Sequence, residues 1–403
     1  MFESSYILET TLIKSRKSLS LKMVRMRQLK VLRPEELRDE ICIIVGTRPG
    51  IIKFSPIIRE LQERHKPFFI IHTGQHYSYN MDKVFFDQLN LPQPKHRVPN
   101  VNLAQYHGEQ TAKMLEGIEE ALLKEKPKLV LVGGDANTNL AGALAARKLH
   151  IRVGHIEAGL RSGDWRMPEE HNRVIIDKIS DFLFVPTEVA RKNLIEDNVK
   201  GKIFTTGNTI VDAVKQNVMI ARSKSKIGEK LGLEDANYFL LTLHREENID
   251  FKENLTNILK GVKMVNETFK FEIIFSIHPR TQKRIRHFKL NPFVSGIKKL
   301  RIVDPTGYLD FLALLECSSL VLTDSGGIQE ESCILKIPCV TLRENTERPE
   351  TVQVGSNRLA GTDPKNILDE VKTMIGVARN WKNPFGKDVS RKIVEIIERE
   401  LML

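Results

Sequence analysis

The chain has 403 residues, 41% of them hydrophobic and 28% charged, which suits a globular protein of two or three domains and excludes collagenous, mucin-like and wholly disordered classes. Its net charge of +11 is concentrated at one end: residues 11–34 hold eight Lys or Arg and no Asp or Glu, and the other 379 residues carry only +3. The body is nearly balanced and only 6% aromatic, without a basic-aromatic ladder for stacking bases, so nucleic acid is not an expected partner.

The longest apolar runs, such as Ile41 to Val45, are far shorter than the roughly 18 residues a spanning helix needs, and no membrane span is expected. The four cysteines form no C-x-x-C pair, so neither a zinc ribbon nor a redox motif is present. A reducing, cytoplasmic compartment is expected.

Residues 1–39 are basic and serine-rich and lack the apolar stretch of a secretory signal. They read as a mobile extension outside the core chemistry, with Met23 and Met26 as alternative starts. From Glu40 onward, apolar runs alternate with amphipathic stretches. The runs are 41–45, 68–71, 129–132, 151–156, 182–185, 203–205, 239–243, 272–276, 300–303, 319–322 and 338–342. Unbroken apolar strands joined by helices predict parallel sheets covered on both faces, the doubly wound α/β class. That many strands divide into two Rossmann-like domains facing a cleft. Residues 40–208 form the first domain and 209–382 the second, with a C-terminal helix in 383–403 packing back on the first. Ligands of such sheets bind beyond the C-terminal ends of the strands.

After the first run, Gly46-Thr47-Arg48-Pro49-Gly50 opens a helix that carries Lys53, a turn able to hold an anion. The bland alternative there is a turn with surface charges. Gly133-Gly134-Asp135, then Glu157, then Glu169 and Arg173 in Met167–Arg173 place three acids on adjoining loops. Carboxylates gathered in a cleft suit proton transfer, and Arg173, four residues after Glu169, can pair with it or meet an oxyanion. N-cap and ion-pair roles are the plainer reading of any single acid. His72 and His76 straddle a strand end rather than a helix face, so no metal site is expected.

In the second half, His244 follows a strand and points to the cleft. His278, before a proline, reads as structural. Ser325-Gly326-Gly327 opens a helix whose free N–H groups attract phosphate, and Glu331, one turn on, can accept from ribose hydroxyls. Arg348 supplies a further cation. No G-x-G-x-x-G lies in the first domain, so NAD is not expected and a nucleoside diphosphate is.

These residues together resemble the non-hydrolysing UDP-N-acetylglucosamine 2-epimerase family from about Ile41 to Gly361. The motifs are GTRP-x-x-IK (46–53), HTGQH (72–76), GGD (133–135), GHIEAGLRSGD (154–164), MPEEHNR (167–173), GNT-x-x-DA (207–213), HRE (244–246), DP-x-x-YL-x-F (304–311), LTDSGGIQEE (322–331) and TERPE (346–350). The resemblance implies a glycosyltransferase-B-like fold, no cofactor or metal, a UDP-sugar substrate and a homodimer. It also implies C2 epimerisation of UDP-N-acetylglucosamine by elimination and re-addition of UDP.

The family's functional positions fall on Arg48, Lys53, Asp135, Glu157, Glu169, Arg173, His244, Ser325, Gly326, Gly327, Glu331 and Arg348, with Thr306 and Phe311 on the uracil and sugar side. An activator site would lie near Gln75 and His76. Asp135 or Glu169 is the expected proton acceptor, with Glu157 organising the sugar. Gly50, the short stretch between Gly163 and Met167, and Thr306-Gly307 depart from the family pattern. Rival substrates are a UDP-2,3-diacetamido-glucuronate, for which Arg166 is the extra cation, and hydrolytic release of free N-acetylmannosamine.

Overall fold

The computed structural model describes residues 31–75, 79–233 and 237–402. The first sheet has seven strands: β1 (Arg38–Val45), β2 (Phe68–His72), β3 (His96–Arg97), β4 (Pro127–Gly133), β5 (Arg152–Ile156), β6 (Phe182–Val185) and β7 (Lys202–Thr205). Their order is β3-β2-β1-β4-β5-β6-β7, and every pairing is parallel.

The second sheet has six strands: β8 (Tyr238–Thr242), β9 (Glu272–Ser276), β10 (Leu300–Val303), β11 (Leu320–Thr323), β12 (Cys339–Thr341) and β13 (Asn357–Leu359). Their order is β10-β9-β8-β11-β12-β13, again all parallel. Central strands such as β4, β8 and β11 are buried because helices cover both faces, which is why they read as unbroken apolar runs. The two domains stand in the glycosyltransferase-B-like arrangement.

Strand order reverses between β1 and β4 in one sheet and between β8 and β11 in the other. The crevice at such a point is where open α/β sheets bind ligands. The four loops that leave these strands carry Arg48, Asp135, His244 and Ser325, so the topology brings these loops to one crevice.

Two boundaries differ from the sequence reading. Strand β1 starts at Arg38, inside the segment assigned to the extension. Leu32 is buried and its N–H donates to Leu149 O at 3.2 Å, so residues 31–39 belong to the first domain. Residues 1–30 lie outside the described chain. The helix Ile210–Lys224, assigned to the second domain, packs on Arg48–Glu63 of the first and on Tyr308–Cys317 of the second. Its Ile210, Ala213, Val214 and Val218 share one apolar cluster with Ile51, Phe54, Leu309 and Leu312, which fastens the domains together.

The helix Val389–Leu401 lies along Arg48–Glu63, and Arg64 reaches Glu395 at 3.1 Å and Glu398 at 3.0 Å. The chain thus crosses between domains twice. The crossings touch at Gly207 (φ 100°) and Gly386 (φ 92°), where a Cβ on Gly207 would stand 2.4 Å from Phe385 O.

Candidate active site

A cleft of about 1360 Å³ opens between the sheets. From the first domain, Lys53, Asp135, Glu169 and Arg173 line it. From the second come Phe311, Ser325, Gly326, Gly327, Glu331 and Arg348.

On the first-domain wall, Lys53 projects from the first turns of helix Arg48–Glu63 and pairs with Glu157, which is buried and held at φ 66° just after β5. Burial opposes the charge on Lys53, but Glu157, Glu330 and Asp135 outweigh it and hold the ammonium above its ordinary value. Burial likewise opposes the charge on Glu157, and Lys53 and Arg348 overcome it, keeping this carboxyl below its ordinary range. Gly134 (φ 84°) holds a left-handed conformation that a side chain would strain, and its Cα faces this pair: a Cβ would touch Glu157 Oε2 at 3.4 Å and Lys53 Nζ at 3.7 Å.

Of the two roles the sequence left open for Arg173, pairing with Glu169 is not adopted. The helix begins at Pro168, and its phase turns the Arg173 guanidinium to Glu170 at 2.7 Å and to Asp135 at 2.5 Å. Glu170 is buried and also accepts from Ser162 N, Ser162 Oγ and Gly163 N, which pins the preceding loop. Glu169 is left exposed and facing the cleft. Burial raises Asp135, yet Arg173 and Lys53 prevail and hold it below its ordinary range.

On the second-domain wall, β11 runs into Asp324 and then into the helix Gly326–Leu335, whose N-cap is Ser325. The first N–H groups of that helix have no carbonyl partners within it, and they face the cleft. Asp324 is buried and accepts from His244 N at 3.1 Å, Arg245 N at 3.0 Å and Asn248 Nδ2 at 3.2 Å, with His244 Nδ1 3.1 Å away. Burial opposes its charge, but His244 and these N–H groups hold its carboxyl below the ordinary range. It thereby fixes the loop and the ring of His244, which is partly exposed and is not among the lining residues.

Glu331 is pushed up to about 8, chiefly by burial and then by the charge on Glu330. Glu330 itself is pushed up to about 7 by burial, with Glu157 adding to the rise against the pull of Arg348. Arg348 Nε lies 2.7 Å from Glu330 Oε1, within ion-pair distance though off the axis of N–H donation.

Other expected residues sit apart from the lining. Arg48 lies with its guanidinium 5.5 Å from the centre of the Phe85 ring. Thr306 Oγ1 is buried with no hydrogen-bond partner among the described residues. Gln75 is buried, and its Oε1 accepts from Thr138 N at 3.2 Å and Thr138 Oγ1 at 2.8 Å. His76 lies outside the described residues.

Three contributors escaped the sequence reading: Asp324, Glu330 and Asn208. Asp324 carries the one legible signal, an acid directly after a switch-point strand. Glu330 is masked by its neighbour Glu331, and Asn208 reads in the sequence as a domain break and a member of the GNT motif, with no role of its own.

The chain is similar to known proteins over most of its length. A family model described as UDP-N-acetylglucosamine 2-epimerase matches residues 59–398. The UDP-N-acetylglucosamine 2-epimerase of Methanocaldococcus jannaschii is 54% identical over 363 residues, 89% of this chain and 98% of that one. A crystal structure of the M. jannaschii UDP-GlcNAc 2-epimerase in complex with UDP-GlcNAc and UDP superposes with a TM-score of 0.80, covering 89% of this chain and 99% of that one at 54% identity. The UDP-2,3-diacetamido-2,3-dideoxy-D-glucuronate 2-epimerase of Pseudomonas aeruginosa is 41% identical over 342 residues, 84% of this chain and 92% of that one. With two facing parallel sheets, acids on one wall of the cleft and a glycine-opened helix on the other, the chain belongs to the UDP-N-acetylglucosamine 2-epimerase family of isomerases.

Proposed function

We propose that this protein interconverts UDP-N-acetylglucosamine and UDP-N-acetylmannosamine by eliminating UDP and adding it back. The observation that carries this reading is the placement of Asp135 and Glu169 on one wall of the cleft, opposite the helix opened by Ser325-Gly326-Gly327. One wall suits a proton at C2, and the other suits the diphosphate leaving from C1.

In the forward direction Asp135 or Glu169 takes the C2 proton. The C1–O bond to UDP breaks, and the electron pair of the C2–H bond becomes the double bond of 2-acetamidoglucal. UDP leaves with the negative charge. The helix N–H groups, Arg348 and His244 stabilise that charge, with Lys53 and Arg48 contributing positive potential from the first domain. Glu331 accepts from the ribose, and Thr306 and Phe311 border the uracil and sugar. Glu157, fixed by Lys53, organises the sugar. Re-addition of UDP to C1 with protonation of C2 on the opposite face gives the epimer. The step is neutral in electrons, so the residues present supply what it requires.

Relatives bear on the sugar. The M. jannaschii epimerase and its structure with UDP-GlcNAc are both 54% identical to this chain, whereas the glucuronate epimerase is 41% identical. Arg166 lines the cleft, but one edge of its guanidinium, Nε and Nη2, is taken by Asp164 at 2.8 Å and 2.7 Å. A cation already paired with an acid is a weaker receptor for a uronate than an unpaired one, which favours the uncharged sugar.

A homodimer and a cytoplasmic setting belong to the same reading. Leu103 and Tyr106 expose apolar side chains just before the helix His107–Glu125, and Cys42, Cys333 and Cys339 are buried free thiols. Sedimentation of the purified chain gives its assembly state. Incubation with UDP-N-acetylglucosamine, followed by NMR of the products, tests the reaction. UDP-N-acetylmannosamine at equilibrium with substrate is the expected result. Free N-acetylmannosamine with UDP would establish hydrolysis instead.

A further inference from the structure

Asn208 stands where the chain first crosses between domains, and every polar atom of the residue that is described has a set task. Its N–H donates to Phe385 O of the second crossing at 2.8 Å. Its Oδ1 accepts from Ile210 N at 3.1 Å, which starts the helix shared by both domains. Its Nδ2 donates to Glu157 Oε1 of the first domain at 2.9 Å and to Glu330 Oε1 of the second at 3.0 Å. Asn208, Glu157 and Glu330 are all almost fully buried.

Two buried carboxylates held side by side repel each other. A primary amide can hold both, because it carries two N–H groups and no charge. The flanking cations complete the balance. Lys53 takes the other oxygen of Glu157, and Arg348 Nε stands 2.7 Å from Glu330. The result is one buried chain, Lys53–Glu157–Asn208–Glu330–Arg348, that begins in the first domain, passes through the crossover and ends in the second.

We propose that Asn208 and Glu330 are positioning residues of the reaction: through this chain they hold Arg348, which faces the leaving diphosphate, in fixed register with Lys53 and Glu157 on the opposite wall. Neither needs to touch the reacting atoms. Each acts on groups that do, and an error of about an ångström in such placement can cost about 10²-fold in rate. The inference rests on the roles given above to Arg348 and Glu157.

The test uses the full chain and four proteins: wild type, Asn208→Asp, Glu330→Gln and the double variant, with Asn208→Ala as a fifth. Asn208→Ala is expected to lower kcat by about 10- to 100-fold while KM for the sugar nucleotide stays within about threefold. Asn208→Asp keeps the shape but sets a third carboxylate between two others, so it should be worse than alanine. The double variant restores one donor, the amide of the glutamine at 330, facing the new carboxylate. It should regain about tenfold or more over Asn208→Asp, and its melting temperature should show the same non-additivity.

A packing role alone predicts the reverse order, with the isosteric Asn208→Asp milder than alanine, and additive melting shifts. Either of those results overturns the proposal, as does a kcat within about twofold of wild type for Asn208→Ala. Should Asn208→Asp not fold, the split between kcat and KM in Asn208→Ala and Glu330→Gln decides. A wild-type protein that fails to epimerise while the melting temperatures stay coupled faults the assigned reaction and leaves the network standing.

Discussion

Arg173 reaches Asp135, 38 positions earlier in the chain, at 2.5 Å, and leaves Glu169 open to the cleft. The two candidate proton acceptors are therefore in unlike states. Asp135 is held ionised by a guanidinium, and Glu169 is exposed. If Asp135 is the base, the acid limb of the kcat/KM profile reports its ionisation. Removing the cation raises that pKa. Arg173→Ala should then move the acid limb to higher pH, and Arg173→Lys should move it less. The isosteric Asp135→Asn should lose about 10²–10⁴-fold in kcat while still binding UDP. An unmoved limb with full loss in Glu169→Gln would assign the proton to Glu169.

Glu331 links pH to stability and to nucleotide binding. Its folded value of about 8 stands far above the ordinary 4.5. The fold favours the protonated form, so this group's contribution is complete below about 4.5 and is lost as pH rises through about 8. The loss is on the order of a few kcal/mol. Glu331→Gln removes that dependence, so its melting temperature should gain on wild type between about pH 5 and pH 9. Glu331→Ala should weaken UDP by about tenfold, the worth of a hydrogen bond between neutral partners. Unchanged UDP affinity would remove Glu331 from the ribose.

Asp324 supports His244 from beneath, so the two should fail together. His244→Ala and Arg348→Ala are each expected to slow turnover by about 10²-fold or more. Asp324→Ala leaves the N–H groups of His244 and Arg245 without their acceptor, and should cost both stability and rate. Asp324→Ala with wild-type kcat and melting would show that the loop holds itself.

Residues 31–37 dock on the first domain through Leu32 and through Glu36, which Lys126 meets at 2.9 Å. Deleting residues 1–25 keeps those contacts and should leave activity and melting nearly unchanged. Deleting through residue 37 removes a buried leucine and its backbone bond, and should lower the melting temperature by roughly 5 °C or more. Equal melting of the two truncations would contradict the docking role.

Eleven strands were legible in the sequence, most of them because parallel strands buried on both faces must be apolar throughout. Strands β3 and β13 stayed hidden. They are two and three residues long, lie at sheet edges and carry polar residues such as His96, Arg97, Asn357 and Arg358. The cleft residues were legible from their place after strand ends, since topology alone brings such loops together. Their partners were not. Helical spacing suggested Glu169 for Arg173, but the tertiary fold supplied Asp135. Glu330 and Glu331 are adjacent and so point about 100° apart on their helix. One would ordinarily face water. Both are buried because that helix is wedged against the crossover, with Glu330 toward Asn208 and Glu331 beside Tyr308. A contact made through a crossover leaves no periodic trace.

The central claim is that the C2 proton leaves and returns. The most direct measurement is epimerisation of UDP-N-acetylglucosamine in D2O, followed by NMR at C2 of the product. Elimination and re-addition predict deuterium at that carbon in each UDP-N-acetylmannosamine formed, with the C2 proton signal of the product absent from the first turnovers. UDP-N-acetylmannosamine that retains protium at C2 would contradict the mechanism.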